Sequence, residues 1–127
     1  MPEITSHPIS AFCWFEIATS DVTGARSFYG ALFGWSFFEV PMGGDHGGYT
    51  LVQVKGKDIG GLYALMPEQK AGGVPPHWLP YVNVANVDGS TDKAQSLGGK
   101  LVFGPMDVMD HGRMSVLADP AGAAFAV

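Results

Sequence analysis

The amino-acid sequence predicts an α+β fold: two tandem βαβββ modules forming a cup-shaped mixed sheet, with helices on its outer face. Two observations carry this expectation. The first is an internal repeat. "DHGGYTLV" at residues 45–52 returns as "DHGRMSVL" at 110–117, with 111 − 46 = 65 for the histidines and 110 − 45 = 65 for the aspartates. The same offset of 65 carries Leu32 and Gly34 onto Leu97 and Gly99, and Thr50 and Leu51 onto Ser115 and Val116. A register held over that much chain marks a duplicated unit. The second observation is a change of hydrophobic period within each half, from alternate residues to steps of three and four and back again.

The elements follow in order. "AFCWFEIA" (11–18) alternates through an aromatic-rich run and reads as a strand. Asp21 is a suitable N-cap for a helix, since its carboxylate can accept orphan N–H groups of the first turn. Ala25, Phe28, Tyr29 and Leu32 then recur along one helical face, and Gly34 suits a left-handed helix end. "WSFFEV" (35–40), "YTLVQVK" (49–55) and "DIGGLYAL" (58–65) read as three strands separated by glycine-bearing turns. In the second half "WLPYVNV" (78–84) is the strand, with Pro80 hinting at an edge or a bulge. Asn86 or Asp88 can cap the next helix, which ends at Gly98-Gly99, and "KLVF", "RMSVLAD" and "AGAAFAV" supply the last strands. The modules are 9–65 and 77–127 of a single domain. The segment 66–76, rich in Pro and Gly, reads as a linker.

Composition narrows the function classes. The 127 residues are 46% apolar and 15% charged, with a net charge of −5 and only seven Lys and Arg, which do not cluster. Nucleic acid and anionic membrane are therefore poor partners. No apolar run reaches the roughly 18 residues of a membrane span. The N-terminal stretch has neither the basic nor the apolar region of a signal peptide. Cys13 is the only cysteine and can form no internal disulfide, so a reducing, cytoplasmic setting is expected.

The first strand already suggests a site. Cys13, Phe15 and Ile17 share one face, expected to lie under the helix, while Phe12, Trp14 and Glu16 share the other. Two large aromatics would be wasted on solvent, and a carboxylate closed into apolar core would be costly. A concave, partly wet pocket satisfies both residue types. Pairing of Glu16 with a Lys or Arg at a subunit boundary satisfies them too.

Four features together resemble the vicinal-oxygen-chelate superfamily, which includes glyoxalase I, bleomycin-resistance proteins and extradiol dioxygenases. They are the tandem module order, "TSDVTGARSFYGALFGW" (19–35) with Phe33 before its glycine, "VANVDGSTDKAQSLGGKL" (84–101) and "LADPAGAAFAV" (117–127). The resemblance covers nearly the whole chain and points to a glyoxalase-like branch of unassigned chemistry. It implies a cup in which His and Glu on the first and fourth strands hold a divalent metal, able to chelate neighbouring substrate oxygens. Carried onto this chain, those positions are Trp14, Gly61, Leu79 and Ala126, again at offsets of 65 (79 − 14 and 126 − 61). None has a metal-binding side chain, so no metal and no cofactor is expected.

The resemblance then implies a cup lined by Trp14, Glu16, Tyr63, Leu79 and Tyr81. Such a box of rings with one acid suits a small, flat or cationic organic molecule. Core filling is the plain alternative for Trp14 and Tyr81. The leading functional reading is metal-free binding of a small molecule, of the bleomycin-resistance kind. The alternative is a lyase, isomerase or dioxygenase using Glu16 as a catalytic base or a non-standard metal site. A structural or interaction module is the third, and whether the chain is an enzyme stays open. A homodimer is expected from the family and from the apolar composition. His46 and His111 read as twin turns, and His7 and His77 as incidental. Cys13 reads as a buried, inert thiol, and Arg113 as a structural partner of Asp110 or Asp119.

Overall fold

The computed structural model describes residues 7–40, 48–108 and 112–127. The repeated Asp-His pairs at 45–46 and 110–111 lie outside the described residues. The described elements are β1 (Phe12–Thr19), α1 (Val22–Phe33), β2 (Ser36–Val40), β3 (Tyr49–Val54), β4 (Lys57–Ala64), α2 (Pro67–Ala71), β5 (His77–Val82), α3 (Val87–Ser96), β6 (Lys100–Asp107), β7 (Arg113–Ala118) and β8 (Ala124–Ala126). The βαβββ order therefore occurs twice, and the α+β class holds.

The chain divides into two compact units, Trp14–Leu79 and the segment ending at Cys13 together with Pro80–Val127. In the first, the strand order is β2-β3-β4-β1, and β1 runs parallel to β4 while the other pairs are antiparallel. In the second, the order is β5-β8-β7-β6, with β5 parallel to β8 and the remaining pairs antiparallel.

The repeat is physical as well as textual. Asp21 Oδ1 accepts the Gly24 N–H at 2.9 Å, and Asn86 Oδ1 accepts the Gly89 N–H at 2.9 Å, so the same cap closes both helices at the same 65-residue offset. Gly34 ends α1 in the left-handed conformation (φ 71°), and its N–H donates to Gly30 O at 2.9 Å. Val52 and Leu117, also 65 apart, are fully buried, as are their neighbours Thr50 and Ser115.

In the first unit the core is Ile17, Val52 and Leu62, against which Phe15, Val22, Ala25, Tyr29, Trp35, Phe37 and Ile59 pack. Each such aliphatic side chain contributes about 1.5–3 kcal/mol when removed from water. Phe15 and Ile17 thus lie on the α1 side of β1, as the alternation requires. In the second unit α3 packs on β6 and β7.

Two expectations need correction. The segment 66–76 is not all linker: Pro67–Ala71 forms α2, started by proline and closed by Gln69 Oε1 accepting the Met66 N–H at 2.8 Å. Among the described residues the partners of Arg113 are Asp88 and Asp107 rather than Asp119, and Asp110 lies outside the described residues. The Arg113 Nε and Nη2 fork onto the Asp88 carboxylate at 3.1 and 3.0 Å, and its Nη1 reaches Asp107 at 3.1 Å. The charge therefore ties α3 to the β6–β7 hairpin, while Asp119 accepts the N–H groups of Ala121 and Ala123 in its own turn. Among the described residues no helix is long and apolar enough to cross a membrane.

Candidate functional site

The register of three strands builds the site. Glu16 on β1 lies beside Gly61 on β4, and Leu51 on β3 lies beside Gly61 from the other side. Side chains alternate along each strand. Ile17, Leu62 and Thr50 therefore point to the buried face, and Trp14, Glu16, Tyr49, Gly61 and Tyr63 share the opposite one.

On that face the structure brings three of the expected residues together, and a fourth links them. Trp14 Nε1 donates to the Tyr49 hydroxyl at 3.2 Å, and that hydroxyl donates to Glu16 Oε2 at 2.7 Å. The second bond is charge-assisted and short. The Tyr63 ring stacks on Tyr49, with centroids 6.5 Å apart and planes 17° from parallel. Tyr63 also hydrogen-bonds the side chain of Gln69, so α2 helps to hold it. All four residues are half-buried.

Both phenols are held protonated. Burial is the main cause of the rise in Tyr49, and the charge and hydrogen bond of Glu16 add to it. Tyr63 is raised for the same first reason, with the Glu16 charge adding and the Gln69 bond opposing. A neutral phenol wedged between an indole donor and a carboxylate acceptor fixes the direction of its own proton. The arrangement presents ring faces and a carboxylate held in place.

Tyr49 was missed by the sequence reading, which placed it on a strand without following its parity. The available signal was the alternation of "YTLVQV", in which Tyr49 falls on the face opposite Thr50 and Val52. Leu79 and Tyr81, also expected in the cup, lie on β5. Leu79 is a buried core residue, 5% exposed. Tyr81 belongs to the second unit, where its backbone carbonyl accepts from the Cys13 thiol at 3.8 Å. Burial raises the Cys13 thiol above its ordinary value, which keeps it in the unreactive protonated form. Phe12 is largely exposed. A groove of about 370 Å³ lies elsewhere in the first unit, between α1 and Pro76–Trp78, and its lining includes neither Trp14 nor Glu16.

The residues present do not fit the metal that the family resemblance implies. Trp14 offers an indole N–H, which is a donor only. Gly61 offers no side chain, and the space a Cβ there would enter is filled by the Tyr49 hydroxyl and ring. Leu79 and Ala126 are aliphatic and buried. Among the described residues no three His, Cys, Asp or Glu side chains stand close enough to share a metal ion.

Comparison with known proteins agrees with the architecture. The chain is 35% identical over 124 residues to CFP32 of Mycobacterium bovis, a protein named as a glyoxylase, with 98% of this chain and 47% of that protein covered. It is 36% identical over 124 residues to the anthracycline biosynthesis protein DnrV of Streptomyces peucetius, with 90% of this chain and 45% of that protein covered. The chain thus spans about half the length of these relatives. Among solved structures, methylmalonyl-CoA epimerase from Mycobacterium tuberculosis superposes with a TM-score of 0.66 over 98% of this chain and 90% of that one, at 18% identity. That likeness is one of fold. A family model matches residues 11–127. The chain belongs to the glyoxalase/bleomycin resistance protein/dioxygenase superfamily.

Proposed function

We propose that this protein binds a small organic molecule against Trp14, Glu16, Tyr49 and Tyr63, without the metal usual in its superfamily. The observation that carries the reading is the Trp14–Tyr49–Glu16 hydrogen-bond chain, at 3.2 and 2.7 Å. It holds a carboxylate among three aromatic side chains, a combination that recognises flat or cationic organic groups by stacking, cation–π attraction and hydrogen bonding. The relatives named for glyoxylase activity and for anthracycline biosynthesis are consistent with a small organic ligand.

The test is a thermal-shift panel of planar phenols, quinones and aromatic amines on the full chain. A ligand that binds only the folded chain raises apparent stability, by an amount that grows with the logarithm of its concentration relative to Kd. The shift should shrink in Trp14→Ala and in Glu16→Gln. A ligand whose shift survives both substitutions binds somewhere else, and the assignment fails.

The enzymatic reading, a lyase, isomerase or dioxygenase acting through Glu16, is favoured by one observation. Glu16 and Tyr49 are a carboxylate and a phenol 2.7 Å apart, within proton-transfer distance. Turnover of a panel hit at saturating concentration, lost in Glu16→Gln beyond what its weaker binding accounts for, would establish it. We also propose a homodimer. Two copies would supply the length that CFP32 and DnrV carry in one chain, and sedimentation equilibrium reads the mass directly.

A further inference from the structure

We propose that Tyr49, seated on Gly61, is the residue that decides what this site accepts: it closes the site to divalent cations. Two adjacent glycines on β4 make room for two rings. A Cβ on Gly60 would lie 2.6 Å from the ring of Phe15 on the buried face. A Cβ on Gly61 would enter the phenol of Tyr49 on the opposite face. Each glycine is a seat for one ring. By the family resemblance, the Gly61 seat is the β4 position from which a metal ligand would be expected to project. Any side chain there obliges the Tyr49 phenol to leave its present place.

The phenol is also held in the seat from two sides, by the Trp14 indole N–H and by Glu16 Oε2. Trp14 stands at the other first-unit ligand position. So one ligand position donates a hydrogen bond to Tyr49 and the other makes room for it. Glu16, the carboxylate on this face of β1, has one oxygen committed to the phenol. A cation would have to displace a neutral hydroxyl held by two hydrogen bonds and gain no ligand from position 14 or 61.

This deepens the metal-free part of the proposed function, and it can be tested with no organic ligand in hand. The probe is Co²⁺ alone, titrated by calorimetry into chelator-stripped full chain. Replacing the phenol by a carboxylate, in Gly61→Glu/Tyr49→Ala, sets a second acid beside Glu16. That variant should bind Co²⁺ at least about tenfold more tightly than the wild type, a difference well within calorimetric range. The gain should vanish when Glu16→Gln is added. Equal affinity in wild type and variant overturns the proposal, as does stoichiometric Co²⁺ binding by the wild type that Glu16→Gln abolishes.

A substitution cycle checks the seat independently of metal and of how that variant folds. Gly61→Ala should lower the urea midpoint, or prevent folding, when Tyr49 is present. In a Tyr49→Ala background the same change should have little effect. An equal penalty in both backgrounds shows that Tyr49 does not occupy the seat. A failed ligand panel would count against organic-ligand binding and leave the Co²⁺ and urea comparisons readable.

Discussion

The Tyr49 hydroxyl donates a 2.7 Å hydrogen bond to Glu16 Oε2, while it accepts one from the Trp14 indole at 3.2 Å. The direction of the first bond is forced. An indole N–H can only donate, so the phenol oxygen receives it and sends its own proton to the carboxylate. In Glu16→Gln the negative charge disappears, while burial, and to a smaller extent Tyr63, still raise the phenol. Tyr49 in that variant should ionise at lower pH than in the wild type, yet above the ordinary value, because burial is the largest cause. Phenolate absorbance during alkaline titration measures this. An unchanged titration would mean that the carboxylate does not face the phenol.

The same shift sets how stability responds to alkali. Both Tyr49 and Tyr63 are raised in the folded protein above the ordinary value of 10.0. Below that pH the folded and unfolded chains are both protonated, so the stabilisation is fully present. As pH rises past 10.0 the unfolded chain loses protons that the folded chain keeps, and stability falls. The loss attributable to Tyr49 approaches about 1.4 kcal/mol per pH unit. Urea denaturation from pH 9 to 11 should therefore show a shallower decline in Tyr49→Phe than in the wild type, as an order-of-magnitude comparison at about those pH values. Parallel declines would refute the assignment.

On the buried face, Gly60→Ala should destabilise by about 1–3 kcal/mol, the usual cost of forcing an extra methyl into packed core. The Phe15 ring cannot retreat freely, since it sits 5.6 Å from Trp35 and 5.3 Å from Trp78, centroid to centroid. Shortening the obstruction should help, so Gly60→Ala/Phe15→Leu should lose less than the two single effects added together. Strict additivity would place the ring elsewhere.

How much of this was legible in the sequence depends on the range of the interaction. Asp21 announces α1 because capping is local chemistry, completed three residues away at Gly24. The alternation in β1 separates Phe15 and Ile17 from Trp14 and Glu16 for the same reason. α2 was hidden because five residues bounded by Pro and Gly carry too little periodicity to distinguish a turn of helix from a loop. The pairing of Arg113 with Asp88 was not visible in the sequence. The two come close only because α3 packs against the β6–β7 hairpin. Tyr49 was missed because its partners Trp14 and Glu16 lie on β1, and only the β3–β4–β1 order makes them neighbours. The doubled Gly60-Gly61 was visible, but the two rings it seats come from β1 and β3. Local pattern gave the modules, and strand order gave the site.

The two helix caps test the duplication as energetics. Asp21 and Asn86 each accept a 2.9 Å hydrogen bond from the N–H three residues on, Gly24 in one case and Gly89 in the other. Both bonds satisfy one of the orphan donors of the first turn. Removing either by substitution to Ala should cost about 1 kcal/mol of stability. Asp21→Asn should cost much less than Asp21→Ala, because Asn86 already shows that an amide oxygen makes the same bond. The two costs should also be similar, since the acceptor, the spacing and the glycine donor match. Urea midpoints at constant slope measure all three variants. If Asp21→Ala were neutral while Asn86→Ala were costly, the matching geometry would not carry matching energy, and the first-module cap would be ornamental to α1, whose hold would then rest on the packing of Ala25 and Tyr29 against the Ile17–Val52–Leu62 core.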